Sequence, residues 1–210
     1  MAPDAAVTRQ RIRDAARRLL NRHGLGGVTV RSIARVAGIS HGNLCYHYPN
    51  VVAVVAALVD ELADTSDAQV AAVDVTQPPL RLLAELQQRT FTLMVEYRFF
   101  FLEYVTIVRA LPSLRRRLRA LKQRREQQFL TFLDGLRAAG LVCAEAQTGA
   151  DRALFAQYDL VADFWMSQAE ILFGGPTPSA QQHYERLAFG LLVPHLTDEG
   201  MRQIQELWVR

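Results

Sequence analysis

Residues 29–50, TVRSIARVAGISHGNLCYHYPN, read as two short helices joined by a tight turn and closed by a proline. Ala34 is small where two helices would cross. Gly38 falls where the turn needs a positive φ, which glycine alone adopts cheaply. Thr29 and Ser40 stand where the two helices need N-caps, and Asn50 can cap the helix that follows Pro49. This is the pattern of a helix-turn-helix, whose second helix enters the DNA major groove.

The charge pattern supports a DNA-binding head. Residues 1–50 carry eight Arg and two Asp, a net +6 within a chain whose total is +3. A basic N-terminal segment on a near-neutral body is the electrostatic footprint of nucleic-acid recognition. The arginines sit mostly on the outer faces of a helix predicted over 8–23, whose inner face is Ile12, Ala15, Ala16, Leu19 and Leu20.

The remainder reads as helical throughout, so the predicted fold class is all-α. Helices are predicted from about 51 to the low seventies and over 80–96. A single helix is predicted over RFFFLEYVTIVRA (98–110), buried on most sides. Others follow over 113–139, 150–173, 181–193 and 198–208, punctuated by Pro78-Pro79, Leu111-Pro112, Gly140 and GGPTPS. Half of the 210 residues are apolar, enough for a sizeable core. The expected division is a helix-turn-helix head at 1–54 and a helical ligand-binding and dimerisation domain at 55–210. No signal peptide or membrane span is legible, and the two cysteines, Cys45 and Cys143, lie far apart. Both features predict a cytoplasmic protein without disulfides.

A recognition helix needs short polar or flat side chains for base edges and donors for phosphates. His41, Asn43, Tyr46 and His47 supply these, Gly42 lets the backbone approach the groove, and Ser40 caps the helix. Thr29 and Arg31 can grip phosphate at the start of the first helix of the motif. His41 and His47 also predict pH-dependent DNA binding. His41 and Cys45, four residues apart, are too few to hold a metal ion, and no metal or other cofactor is expected. There is no nucleophile motif and no glycine-rich phosphate loop, which argues against an enzyme.

The short N-terminal helix, the helix-turn-helix and the string SHGNLCYHYPN together resemble the TetR-type (TetR/AcrR) bacterial transcriptional regulators. In that family a segment similar to S-x-G-N-L-Y-Y-H-F-x-x-K forms the recognition helix and the start of the next helix. The specific resemblance covers residues 8 to about 60. It implies a homodimer, joined through the last two long helices, that binds a palindromic operator as a repressor and leaves it when a small molecule binds. It also places Tyr46 and His47 at phosphate and base contacts and Tyr48 in the core. Two departures stand out: Cys45 replaces the family's usual Tyr, and Val51 replaces a Lys that anchors the following helix to the DNA backbone. They motivate an alternative reading, a helical ligand- or partner-binding protein with weakened or lost DNA binding. The residues themselves do not distinguish repression from activation.

The middle of the chain is dense in aromatics, which fit either plain core or an apolar pocket. The candidate pocket set is Phe91, Met94, Phe100, Glu103, Tyr104, Phe129, Phe132, Tyr158 and Asp159, implying an apolar or aromatic effector. Residues 115–125, RRRLRALKQRR, hold seven basic groups. They read as a solvated helix face, with an anionic ligand as the alternative. An isologous dimer would set its two recognition helices roughly 34–36 Å apart.

Overall fold

A computed structural model describes residues 5–74 and 76–208, apart from the side chains of residues 207 and 208. Residues 1–4 of the expected head and residues 209–210 lie outside the described residues. The helices run α1 (Ala5–His23), α2 (Val30–Ala37), α3 (His41–His47), α4 (Val51–Ala71), α5 (Pro79–Glu96), α6 (Arg98–Leu102), α7 (Tyr104–Ala110), α8 (Pro112–Ala138), α9 (Ala150–Phe173), α10 (Pro178–Gly190) and α11 (Asp198–Trp208). A 3-10 turn, Val193–His195, precedes α11, and an antiparallel bridge joins Val142 to Leu196. The fold is therefore all-α. The chain packs into two units: Met1–Ala68 with Leu93–Ala110, and Gln69–Thr92 with Leu111–Arg210.

The first unit is built on α1. Ile12, Ala15, Ala16 and Leu20 are buried at helical spacing, as are Ile33 and Ala34 of α2 and Leu44 of α3, with α1 packed on α2 and α2 on α3. Thr29 caps α2 through a reciprocal pair: its hydroxyl accepts from the Ser32 N–H (3.1 Å), and its own N–H donates to Ser32 Oγ (3.0 Å). Gly38 ends α2 at φ +66°, the left-handed conformation that a Cβ makes costly. Arg11 adds a second stop by donating to the Ala37 carbonyl at 2.7 Å. Ser40 then accepts from the Asn43 N–H (3.1 Å) and starts α3. Asn50 Oδ1 accepts from the Ala53 N–H (2.9 Å) and starts α4.

The segment expected as one buried helix over 98–110 is two. It breaks at Glu103, where the backbone turns to φ −111° and ψ 21°. The cause lies in α6 and its flanks, which are held from outside the helix. Asn21 Oδ1 accepts the Phe99 N–H (3.1 Å), and the Glu103 carboxylate accepts the Leu25 N–H just beyond α1. The burial expectation is also corrected. Phe99, Phe100, Phe101 and Ile107 are buried, but Val105 is exposed, because α7 covers only one stripe of the unit.

In the second unit α5, α8, α9, α10 and α11 share a core of Leu80, Leu133, Leu136, Leu154, Phe189, Leu192 and Ile204. The helix expected over 181–193 runs 178–190 instead. Pro178 takes the first turn, where its missing N–H is harmless. Pro194 ends the helix because its ring would collide with the carbonyl four residues back, that of Gly190. At Gly200 the backbone of α11 comes so close to the Leu141 carbonyl that a Cβ would lie 2.2 Å from the oxygen. Only glycine fits that contact.

Candidate nucleic-acid interface

The turn at Gly38 and the two caps present α3 with Leu44 fully buried and the opposite face in solvent. His41, Gly42 and Asn43 are exposed, Tyr46 is 84% exposed and His47 is half-buried. The Tyr46 and His47 rings meet edge to face at 5.2 Å, forming one flat-sided projection. Thr29, Arg31 and Ser40 are exposed as well. No Asp or Glu lies between residues 15 and 59, so the surface holds arginines and neutral donors alone. Every residue expected to touch DNA lies on the head and at least partly open to solvent. Tyr48, expected in the core, is buried, and its hydroxyl accepts from Arg13 at 3.3 Å.

Gly42 is informative because nothing in the protein requires it. A Cβ built there meets no atom within 4 Å, and its φ is not positive. A glycine inside a short helix costs roughly 0.5–1 kcal/mol relative to alanine. The cost is explained if something outside the chain approaches the α3 backbone closely.

A polar node holds α1 against α4 within the first unit. Arg13 donates to the Glu61 carboxylate on α4 as well as to Tyr48. The Tyr97 hydroxyl donates to the other Glu61 oxygen at 2.7 Å, and the Arg17 guanidinium lies 5.0 Å from the Tyr97 ring centre. The Tyr97 phenol is pushed above its ordinary range, first by burial and then by the adjacent Glu61 carboxylate. Sequence reasoning missed this node. The helical pattern places the arginines of α1 mostly on its outer faces, and nothing local marks an arginine that turns inward.

Cys45 Sγ lies 3.6 Å from His41 Nε2 on the exposed side of α3. No group of three or more metal-ligating side chains occurs among the described residues.

The candidate effector residues divide between the units. Met94, Phe100, Glu103 and Tyr104 belong to the first. There Phe100 packs edge to face on Tyr104 (5.2 Å), and Glu103 is engaged by the Leu25 N–H. Phe91, Phe129, Phe132, Tyr158 and Asp159 belong to the second. Phe129, Phe132 and Tyr158 line an apolar cavity with Leu83, Gln87, Leu133, Leu154, Phe189 and Leu192; its free space, ≈ 20 Å³, suits about one water. Phe91 instead stacks on Trp165 (5.4 Å) and is fully buried. Asp159, with Asp163, pairs with Lys122 of α8 at 2.7–2.8 Å. Burial works against the Lys122 charge, but Asp163 and Asp159 hold it above its usual range. Gln87 was not anticipated; it is buried and donates to the Glu185 carbonyl at 2.6 Å. Its signal was present, since Leu80, Leu83, Ala84, Gln87 and Phe91 fall on one helical face.

Comparison with known proteins agrees with this geometry. Residues 12–58 match the family described as "Bacterial regulatory proteins, tetR family", and residues 59–204 match "Bacterial transcriptional repressor", a TetR family description. The HTH-type transcriptional regulator TtgR of Pseudomonas putida is 36% identical over 64 residues, 30% of each chain. The chain thus spans under a third of that curated relative. Among solved structures, a TetR-family transcriptional regulator from Marinobacter aquaeolei VT8 has a TM-score of 0.85 at 23% identity, covering 95% of this chain and 96% of its own. The ketosteroid transcriptional regulator KstR2 of Mycobacterium tuberculosis has a TM-score of 0.66 at 20% identity, covering 90% and 95%. These likenesses show the shared fold over 90–95% of the chain, and the two family matches establish that the chain belongs to the TetR family of bacterial transcriptional regulators.

Proposed function

We propose that the protein is a dimeric repressor that binds a palindromic operator through α3 and leaves it when a small apolar molecule enters the second unit. The observation that carries this reading is the α3 face: His41, Gly42, Asn43, Tyr46 and His47 presented together beside Arg31, with a glycine that the fold itself does not need. Residues 1–54 read DNA, with base edges facing His41, Asn43 and His47. Tyr46, Thr29, Ser40 and Arg31 hold phosphate. Residues 55–210 carry effector binding and dimerisation. No helix among the described residues is long and apolar enough to cross a membrane, and the regulator acts in the cytoplasm without catalysis.

The dimer forms through α9 and α10, where Leu160, Ile171, Leu172 and Leu187 are exposed; Ile171 is 77% accessible. A run of large exposed aliphatic side chains on adjacent helices suits a second copy better than water. The effector site is the cavity under Phe129, Phe132 and Tyr158. Its lining is almost wholly apolar, with Gln87 and the Tyr158 hydroxyl as the groups that can orient a ligand. The cavity holds about one water, so an effector must separate α8 from α9 and α10 to enter. That displacement within the second unit is the step that ligand binding makes favourable.

Selection from a random-sequence duplex library tests the DNA half of this reading. Enrichment of an inverted repeat with half-sites about one helical turn apart is expected. Failure to enrich any sequence would contradict it. Titration of apolar and aromatic compounds against Trp165 fluorescence tests the effector half, because Trp165 is buried in the same unit. An effector should change the emission and release the selected duplex together.

A further inference from the structure

The basic tract of α8 is a second concentration of positive charge that the helix-turn-helix does not use. Residues 112–125 contain six Arg, one Lys and no Asp or Glu; acidic residues resume at Glu126, which pairs with Arg152. Arg115, Arg116, Arg117, Arg119 and Arg124 are all exposed, while the one lysine, Lys122, is neutralised by Asp159 and Asp163. Arg115, Arg116 and Arg119 have no carboxylate partner among the described residues. The apolar residues of the same stretch turn the other way, with Leu114 buried and Leu118 and Leu121 half-buried.

From this arrangement we infer that the first half of α8 is a phosphate-backbone contact surface for duplex nucleic acid, separate from the recognition helix. Three features select that occupant. The cations are arginines, whose planar fork binds phosphate bidentately. Their exposed face carries no large apolar side chain. A helix that enters a lipid surface needs such residues beside its charges. The reach also fits: Arg115, Arg116 and Arg119 share one side of the helix over about 6 Å at 1.5 Å per residue. That length faces about two phosphates of one strand at 3.4 Å spacing. Such a surface reads no sequence. It raises affinity for any duplex and makes binding more salt-dependent.

The test uses the full-length protein and its R115Q/R116Q/R119Q variant, which keeps helix-favouring residues at all three positions. Affinity for a random-sequence duplex is measured at several salt concentrations, with helical content checked by circular dichroism. The variant should bind about ten-fold or more weakly at roughly 50 mM salt. Its log affinity should fall with log salt less steeply, by about one to three units. Equal affinity and slope in the two proteins would overturn the inference. So would binding of the wild type, but not the variant, to vesicles of mixed phosphatidylglycerol and phosphatidylcholine with duplex affinity unchanged. The inference adds to the DNA-binding reading of α3 but does not fail with it. A Tyr46→Ala protein tests the latter, since it should lose operator selectivity while keeping the arginine-dependent share of random-duplex binding.

Discussion

Gly42 is the residue where fold and function pull apart. Its neighbours leave space for a Cβ, so Gly42→Ala should stabilise the protein by about 0.5–1 kcal/mol through helix propensity. The same methyl would stand between α3 and a groove, so operator affinity should fall while the thermal midpoint rises. Thermal unfolding and operator titration of the one variant check both signs; unchanged affinity would remove Gly42 from the interface. Glu185 supplies a second residue-scale prediction. Burial raises its carboxyl pKa above the ordinary 4.5, only partly opposed by the hydrogen bond from Gln181. The folded state therefore holds that proton more tightly than the unfolded state. The contribution is present below about pH 4.5 and is lost as pH rises through the raised value. Glu185→Gln should thus flatten the decline of urea midpoints between about pH 4.5 and pH 7 and gain stability at the upper end. An unchanged pH profile would contradict that.

Among the elements, the head was the most legible. Thr29, Gly38, Ser40 and Asn50 are local signals, since each acts within a few residues of itself, and each sits where its cap or turn chemistry predicts. α9 was equally readable, bounded by Gly149 and Gly174. The break between α6 and α7 was not legible, because its cause is Asn21 and Leu25, some 78 residues away in sequence. The Arg13–Glu61–Tyr97 node escaped for the same reason. The exposed α3 face could be read from residue types; the cavity lining could be read only in part, since the set mixed residues from two units. At the N-terminus of α4 the half-buried Val51 stands where the resemblance leads one to expect Lys. Val51→Lys adds a cation beside the recognition helix. The slope of log affinity against log salt on operator DNA should steepen by about one unit. A slope identical to that of the wild type would mean that this helix end does not face phosphate.

At the scale of the whole molecule, the proposed function requires two heads held at a fixed spacing by one interface. Ile171→Glu places a charge at the most exposed aliphatic position of α9. It should convert the protein to monomers in sedimentation and weaken operator binding by about two orders of magnitude, the gain expected from linking two half-site contacts. It should leave helical content unchanged, because the side chain contributes little to its own unit's core. A dimer that survives this substitution would move the interface away from α9. The chain's own charge layout suits such a molecule: a basic head for DNA, and a second unit in which the positive charge of α8 nearly offsets an acidic remainder.

The most direct test of the central claim is binding of the purified protein to the DNA immediately upstream of its own gene, with excess non-specific competitor, beside an Asn43→Ala/Tyr46→Ala variant. Asn43 and Tyr46 are exposed, so the variant should fold as the wild type does. A wild-type complex that survives competitor and is lost in the variant is the predicted result. A wild-type protein that binds neither this DNA nor any sequence from a random library, or a variant that binds as tightly as the wild type, would contradict the assignment of α3 as the operator-reading helix.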